Sequence, residues 1–317
     1  MCDYFSFVVS GWFWKLTTKV KADYVFTFEV SPMTQALIGV WYAKKKHIPH
    51  YIYVQDLWPE NVETVTGIHT PFVIKPIDMM VDYIYKNSDI VFTTSPSFKK
   101  AIKQRKNFSH HTRVIYWPQY AEEFYKPVAK KSIAEIPDDG SFKIIFTGNV
   151  GYAQGLDILP KAAVELKKEN VRFVIVGDGR YMEEFQSEIL RLDVQDSFIL
   201  VPRQAPERIP ELLRACDVAF LSFMDTRLFE ITIPAKLRSY MACGMPVLAA
   251  ANGETERIIC EAECGYCSPL GDAKELARYI MRMAKEPMEQ LGRNSRRYFE
   301  AHFQKIKLMD QIDRIFS

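Results

Sequence analysis

Phe142-Lys143-Ile144-Ile145-Phe146-Thr147-Gly148-Asn149-Val150-Gly151-Tyr152-Ala153-Gln154-Gly155 is the stretch on which the fold turns. Phe142–Thr147 is a short run of aromatic and β-branched side chains, the pattern of a strand buried on both faces. Glycines at 148, 151 and 155 follow, then a helical pattern through Lys168. A strand, a glycine-bearing turn and a helix make the opening of a βαβ unit. Downstream the alternation continues, with strands expected at Arg172–Val176, Phe198–Val201, Val218–Ser222, Pro246–Ala249 and Tyr266–Ser268. Helices fill the gaps and two close the chain, so this half reads as one complete doubly wound parallel unit.

The N-terminal half alternates in the same way. Strands are expected at Tyr24–Phe28, Tyr51–Val54, Ile90–Thr93 and Arg113–Tyr116, with helices over Thr34–Lys46 and Phe72–Asn87. It opens on a helical stretch where a doubly wound domain would open on a strand. Pro127–Gly140 is polar and poor in large apolar residues, which suits a linker. The expected organisation is therefore α/β with two doubly wound domains: a partial one over 1–126, a linker over 127–140, and a complete one over 141–317, whose last helix returns to the first domain.

Composition excludes several classes. The 317 residues are 48% hydrophobic and 25% charged, ordinary for a globular protein with two domains. A net charge of +2 does not mark a nucleic-acid binder. The six cysteines form no disulfide framework, and Cys264-Gly-Tyr-Cys267 has neither a second C-x-x-C nor a histidine pair to complete a zinc site. No D-x-D, H-E-x-x-H or G-x-S-x-G occurs, so no metal cofactor is indicated. The aromatic opening, with Phe7, Trp12, Phe13 and Trp14, is too short to span a bilayer. It reads as an amphipathic helix packed on a sheet, with a helix lying on a membrane surface as the other reading.

Three constellations could carry chemistry. Gly148, Gly151 and Gly155 lie at the turn into a helix, where backbone amides can approach an anion. Their spacing matches neither a dinucleotide fingerprint nor a P-loop. Gly177-Asp178-Gly179 ends the next strand, at the edge where α/β proteins bind ligands. In Phe229-Glu230-Ile231-Thr232-Ile233-Pro234-Ala235-Lys236, Thr232 is a plausible N-cap and Pro234 suits the first helical turn. Lys236 then falls in that first turn, where a cation opposes the helix dipole unless an anion is bound. The helix should run to Cys243 and stop at Gly244. In the first half, Asp56-Leu57-Trp58-Pro59-Glu60 follows a strand. Two carboxylates and an indole there suit a sugar, while Pro59 and Glu60 equally suit the start of a helix.

With these motifs the sequence resembles glycosyltransferase family 4, and within it the bacterial fucosaminyltransferase-like, capsular and O-antigen branch. The resemblance is carried by Asp56–Glu60, Thr94-Ser95-Pro96, Trp117-Pro118-Gln119-Tyr120-Ala121-Glu122, the Gly148–Gly155 turn, Val176–Gly179, Thr232–Leu237, Ser239–Gly244 and Gly253-Glu254. It implies the GT-B fold of two Rossmann-like domains and transfer, with retention and without a metal, from a nucleotide-sugar. The donor is expected to be UDP-linked and of N-acetylated hexosamine type. The acceptor is expected to be lipid-linked or a polysaccharide, at the cytoplasmic membrane face.

The resemblance also implies roles. Lys236 and Arg203 would meet the diphosphate. Gly148, Asn149, Gly151, Gln154, Gly177, Asp178, Glu230, Thr232, Pro234, Ser239, Gly253 and Glu254 would surround the donor. Asp56 and Glu60 would orient hydroxyls, and Trp58 would stack on a sugar. The chain departs from the family at Asn149 and Gln154, usually Arg and Lys, and at Ile231 and Ser239, usually a pair of glutamates; Gln55 stands for a histidine. About one hundred N-terminal residues of the pattern are unmatched. The other readings are a nucleotide-sugar-binding subunit completed by a partner chain, and a GT-B nucleotide-sugar epimerase, which needs a carboxylate and histidine set.

Overall fold

The structure, a computed structural model, describes residues 2–316. The chain divides into two compact units, one ending at Pro118 and the next beginning at Gln119.

In the first unit four parallel strands lie in sequence order: β1 (Val25–Glu29), β2 (His50–Val54), β3 (Ile90–Thr93) and β4 (Arg113–Tyr116). Each crossover is helical: α2 (Ala36–Lys46), then α3 (Glu60–Thr66) with α4 (Pro71–Lys86), then α5 (Pro96–Lys103). β3 is buried along its whole length, as its unbroken apolar run requires. The opening helix α1 (Cys2–Thr17) packs chiefly on α2, not on the sheet as expected. It leaves Phe7, Trp12, Phe13 and Trp14 substantially exposed.

The second unit has six parallel strands: β5 (Phe142–Thr147), β6 (Val171–Val176), β7 (Phe198–Val201), β8 (Val218–Ser222), β9 (Val247–Ala250) and β10 (Gly265–Ser268). Their order is β10-β9-β8-β5-β6-β7, the doubly wound arrangement read from the sequence. The order reverses between β5 and β8, and ligands of such sheets bind beyond the carboxyl ends near that point. The intervening helices are α6 (Ile158–Glu165), α7 (Met182–Arg191), α8 (Ile209–Arg214), α9 (Arg227–Glu230), α10 (Ala235–Ala242) and α11 (Glu254–Ala262). Three helices, not two, close the chain: α12 (Ala273–Met283), α13 (Met288–His302) and α14 (Lys305–Phe316). Pro287, extended, separates the first two of them.

The core of this unit is Phe146, Phe173, Phe185 and Phe220 with the aliphatic faces of α6 and α12. Residues 127–140 belong to it and are not a free linker. Ile136 is buried, Glu135 pairs with Arg208 at 2.7 Å, and Asp139 pairs with Lys143 at 2.7 Å. These anchors escape a reading of composition, because each partner lies outside the segment.

Two local expectations change. α6 ends at Glu165, short of Lys168. α10 begins after Pro234, whose extended backbone (φ −72°, ψ 146°) occupies the N-cap position, so Thr232 is not the cap. The Thr232 hydroxyl instead donates to the Leu228 carbonyl at 2.7 Å, closing the short α9. The stop is as expected: Cys243 caps α10 and Gly244 turns left-handed at φ 68°.

Candidate functional site

A pocket of about 680 Å³ opens in the second unit where β5, β6 and β7 end. Its floor is Thr147-Gly148-Asn149 after β5 and Val176-Gly177-Asp178-Gly179 after β6. The two turns touch as backbone. Gly148 N–H donates to the Val176 carbonyl and Val150 N–H to the Asp178 carbonyl, both at 2.9 Å. Gly177 has φ 146°, and a Cβ there would stand 1.9 Å from the Gly148 carbonyl oxygen. Glycine is therefore demanded twice, by conformation and by approach.

The wall is the start of α10. Ala235, Lys236 and Ser239 line the pocket. No side chain caps α10, so its first-turn amides stay open to a ligand, as at any uncapped helix start. Lys236 Nζ lies 4.0 Å from the centre of the Phe146 ring, and its stem packs against Gly148. The amine makes no hydrogen bond or ion pair among the described residues. Burial lowers its pKa to about 7. A cation without a counter-ion, beside uncapped amides, is arranged to receive an anion. Arg203, just past β7, adds a guanidinium to the same pocket, with no hydrogen bond or ion pair among the described residues.

The floor and wall are tied together by Tyr240. It is fully buried, and its hydroxyl accepts from the Thr147 amide at 3.0 Å.

Of the residues expected around a donor, Gly148, Asn149, Gly177, Asp178, Arg203, Lys236 and Ser239 line this one pocket. Gly151 and Gln154 shape the loop instead: the Gln154 carboxamide accepts the Gly151 amide at 3.1 Å. Gly253 packs against the Glu230 backbone, and the Glu254 carboxylate is buried and held by Arg257 at 2.6 Å. Thr232, Pro234, Glu230, Gly253 and Glu254 do not line the pocket. Glu122, Tyr125 and Gln204 do. Glu122 closes the Trp117–Glu122 motif without a role assigned from the sequence, and Tyr125 and Gln204 are not singled out there.

In the first unit, Asp56 and Trp58 meet beyond the ends of β1 and β2 at a residue not singled out, Ser31, while Glu60 is not among the residues bonded to it. The Ser31 hydroxyl donates to Asp56 Oδ2 at 2.7 Å and accepts from Trp58 Nε1 and Asn61 Nδ2, each at 3.1 Å. Glu60 stands in the first turn of α3, as the helix-start reading expected. Its buried Oε2 has no partner, and burial raises its pKa. Glu29, at the end of β1, is wholly buried with neither carboxylate oxygen in a hydrogen bond. Burial, with Asp56 adding to it, pushes its pKa up to about 8.

Cys264 and Cys267 are free thiols that donate to the Ile259 and Ala251 carbonyls. Among the described residues no group of three or more His, Cys, Asp and Glu is placed to hold a metal. No helix there is long and apolar enough to cross a membrane.

Residues 129–300 match the family described as glycosyl transferases group 1. The chain belongs to this family. The match covers more than half of the chain and takes in the whole glycine-rich floor and α10. Among relatives, a probable glycosyltransferase, WbjE, of Pseudomonas aeruginosa is 26% identical over 251 residues, 76% of this chain and 61% of that protein. The alpha-monoglucosyldiacylglycerol synthase of Streptococcus pneumoniae is 23% identical over 72% of this chain and 52% of that protein. The chain thus spans less than two thirds of the length of these relatives. By fold it resembles sucrose-phosphate synthase from Thermosynechococcus elongatus (TM-score 0.76, 19% identity, 98% of this chain and 76% of that one). It also resembles Anabaena HepE in complex with UDP (TM-score 0.75, 17% identity, 98% and 81%). Both sheets are those of a GT-B glycosyltransferase.

Proposed function

We propose that the protein is a retaining glycosyltransferase that takes a sugar from a UDP-linked donor, of N-acetylated hexosamine type, for surface polysaccharide or glycolipid synthesis. The observation that carries this is the unpaired Lys236 amine at the uncapped start of α10, facing the glycine floor. As the bond from the sugar to the diphosphate breaks, negative charge grows on the leaving oxygen. Lys236, Arg203 and the α10 amides stabilise that charge more in the transition state than before it. The acceptor hydroxyl forms its new bond to the sugar on the face the diphosphate leaves and gives its proton to the departing phosphate oxygen; no covalent nucleophile and no metal is assigned. Asp56 and Glu60 orient hydroxyls and Trp58 supplies a ring for stacking. The relatives named for polysaccharide and glycolipid synthesis, amylovoran and colanic acid among them, support the pathway class. UDP in the HepE complex supports the donor.

The exposed aromatic face of α1 supports an acceptor presented at the cytoplasmic membrane surface.

The test is release of nucleotide from a panel of UDP-sugars by wild type and Lys236→Ala, with and without chelator. Loss of at least about a hundredfold in turnover on losing Lys236 is expected, the scale of removing one transition-state charge partner. Unchanged turnover overturns the assignment.

A further inference from the structure

We propose that the second unit carries a separate site for an organic ammonium ion, in a pocket whose lining shares no residue with the one at Lys236. This site does not depend on nucleotide binding.

The pocket, of about 700 Å³, opens beyond the carboxyl ends of β8 and β9, where Ser222 and Ala250 line it. The glycine-rich turn serves both pockets: Gly148 and Asn149 line one, Tyr152 and Gly155 the other. The walls of this second pocket are preformed. The Ser222 hydroxyl donates to the Gln154 carbonyl at 2.6 Å, and the Met224 amide to the Ala153 carbonyl at 3.1 Å. A Cβ on Gly155 would stand 2.8 Å from the Phe223 carbonyl oxygen, so the two loops touch as backbone.

Tyr181 points to a ligand. It is only 6% exposed, its ring centre lies 5.1 Å from that of Tyr152, and its amide donates to the Val150 carbonyl at 3.0 Å. Its side chain lines the pocket amid the charges of Asp157, Glu188 and Glu184, yet its hydroxyl makes no hydrogen bond among the described residues. Burial first, then those charges, raises its pKa to about 12, so the hydroxyl stays neutral. A buried phenol hydroxyl usually has a partner, and this one faces a space large enough to admit one.

The balance of charge makes that partner a cation. Asp157, Glu184, Glu188 and Asp225 line the pocket against a single ammonium, Lys161. Lys161 holds Asp157 at 2.6 Å, and Arg191, from outside the lining, holds Glu188 at 2.9 Å. Glu184 has only a neutral donor, the Tyr152 hydroxyl at 3.0 Å, and Asp225 makes no hydrogen bond or ion pair among the described residues. Helix dipoles favour carboxylates at the starts of α6 and α7, which accounts for Asp157 and Glu184; Glu188 lies a turn further on and Asp225 outside any helix. The acidic groups are not placed to hold a metal ion. An ammonium on a carbon skeleton fits better. Its N–H groups can donate to carboxylates and to the Tyr181 oxygen, its charge suits the faces of Tyr152 and Tyr181, and its skeleton occupies the remaining volume. Two sources carry this chemistry, a free polyamine and an unacetylated amino sugar.

The experiment is calorimetry of the full chain at about 0.15 M salt, where weak surface attraction is screened. The ligands are putrescine, glucosamine, N-acetylglucosamine and UDP. The proteins are wild type, Tyr181→Phe and the double variant Glu184→Gln/Asp225→Asn, each shown folded by circular dichroism. Wild type should bind at least one of the two amines. The double variant should bind it about tenfold or more weakly, the scale of lost bonds to a charged group. Tyr181→Phe keeps the ring and should weaken binding by about threefold or more. Tighter putrescine identifies a polyamine site, tighter glucosamine an amino-sugar site. Binding of neither amine, amine binding that the variants leave unchanged, or N-acetylglucosamine binding as tightly as glucosamine overturns the proposal. Amine binding by a wild type that does not bind UDP would sink the donor reading and leave this site standing.

Discussion

The amine of Lys236 rests on the face of Phe146, 4.0 Å from its centre, without a carboxylate to neutralise it. Phe146 is buried in the strand that ends in the glycine floor, so the ring both fixes the lysine stem and keeps water from one side of the charge. Burial holds the pKa at about 7, well below an ordinary lysine.

Nucleoside diphosphate binding should therefore depend on pH. A bound diphosphate favours the charged amine and raises its pKa, so binding takes up a proton wherever the free protein has lost it. Affinity should be flat below about pH 7 and fall above it, by up to about tenfold per pH unit. Lys236→Met should bind weakly at every pH and flatten the profile. Calorimetry between pH 6 and 9 in two buffers of different ionisation enthalpy reads both the slope and the proton uptake.

Gly177→Ala should destabilise the second unit by about 2–4 kcal/mol, because the added methyl meets the Gly148 carbonyl and the backbone there has φ 146°. Urea unfolding followed by tryptophan-independent circular dichroism measures it. A cost below about 0.5 kcal/mol, the scale of a neutral surface change, contradicts the described contact between the two turns.

The pattern of apolar runs made the strands legible, since parallel strands buried on both faces cannot hide in sequence. β5 and the glycine turn after it, β6 and the left-handed Gly244 all follow from local chemistry. The candidate site was legible only where one segment carries it. Lys236 could be placed because its helix start is written in the adjacent Pro234. Thr232 misled because its hydroxyl found a nearer carbonyl at Leu228. Ser31 could not be singled out, because its partners Asp56, Trp58 and Asn61 are brought to it by the fold from beyond the next strand.

Glu29 should make the first unit less stable as pH rises. Its folded pKa of about 8 lies above the ordinary 4.5, so the folded state holds a proton that the unfolded chain releases. The sign follows: stability is greatest below about pH 4.5, declines above it and is lowest beyond about 8. Glu29→Gln keeps the shape and removes the titration. Its gain over wild type at pH 8.5 should be on the order of 4 kcal/mol and vanish near pH 4.5. Calorimetric melting at the two pH values decides it; equal shifts at both would refute the role of the carboxyl.

Arg105 should be costly to lose. Its guanidinium is largely buried, bonds Asp82 at 2.7 Å, pairs with Asp78 and reaches the Trp58 carbonyl at 3.4 Å. Arg105→Ala leaves the largely buried Asp82 carboxylate, and the half-exposed Asp78, without their cation, at about 3 kcal/mol. Indole fluorescence of Trp58 should shift with the melting temperature in the same variant. A variant with wild-type stability and emission shows that the loop after β2 is held by other contacts.

Tyr240 gives the second unit a property beyond binding strength. Because its hydroxyl grips the Thr147 amide, the helix and the strand end that face the ligand form a single jaw of fixed gape. The lysine amine and the glycine floor are thereby kept in register by a residue that only lines the space behind them.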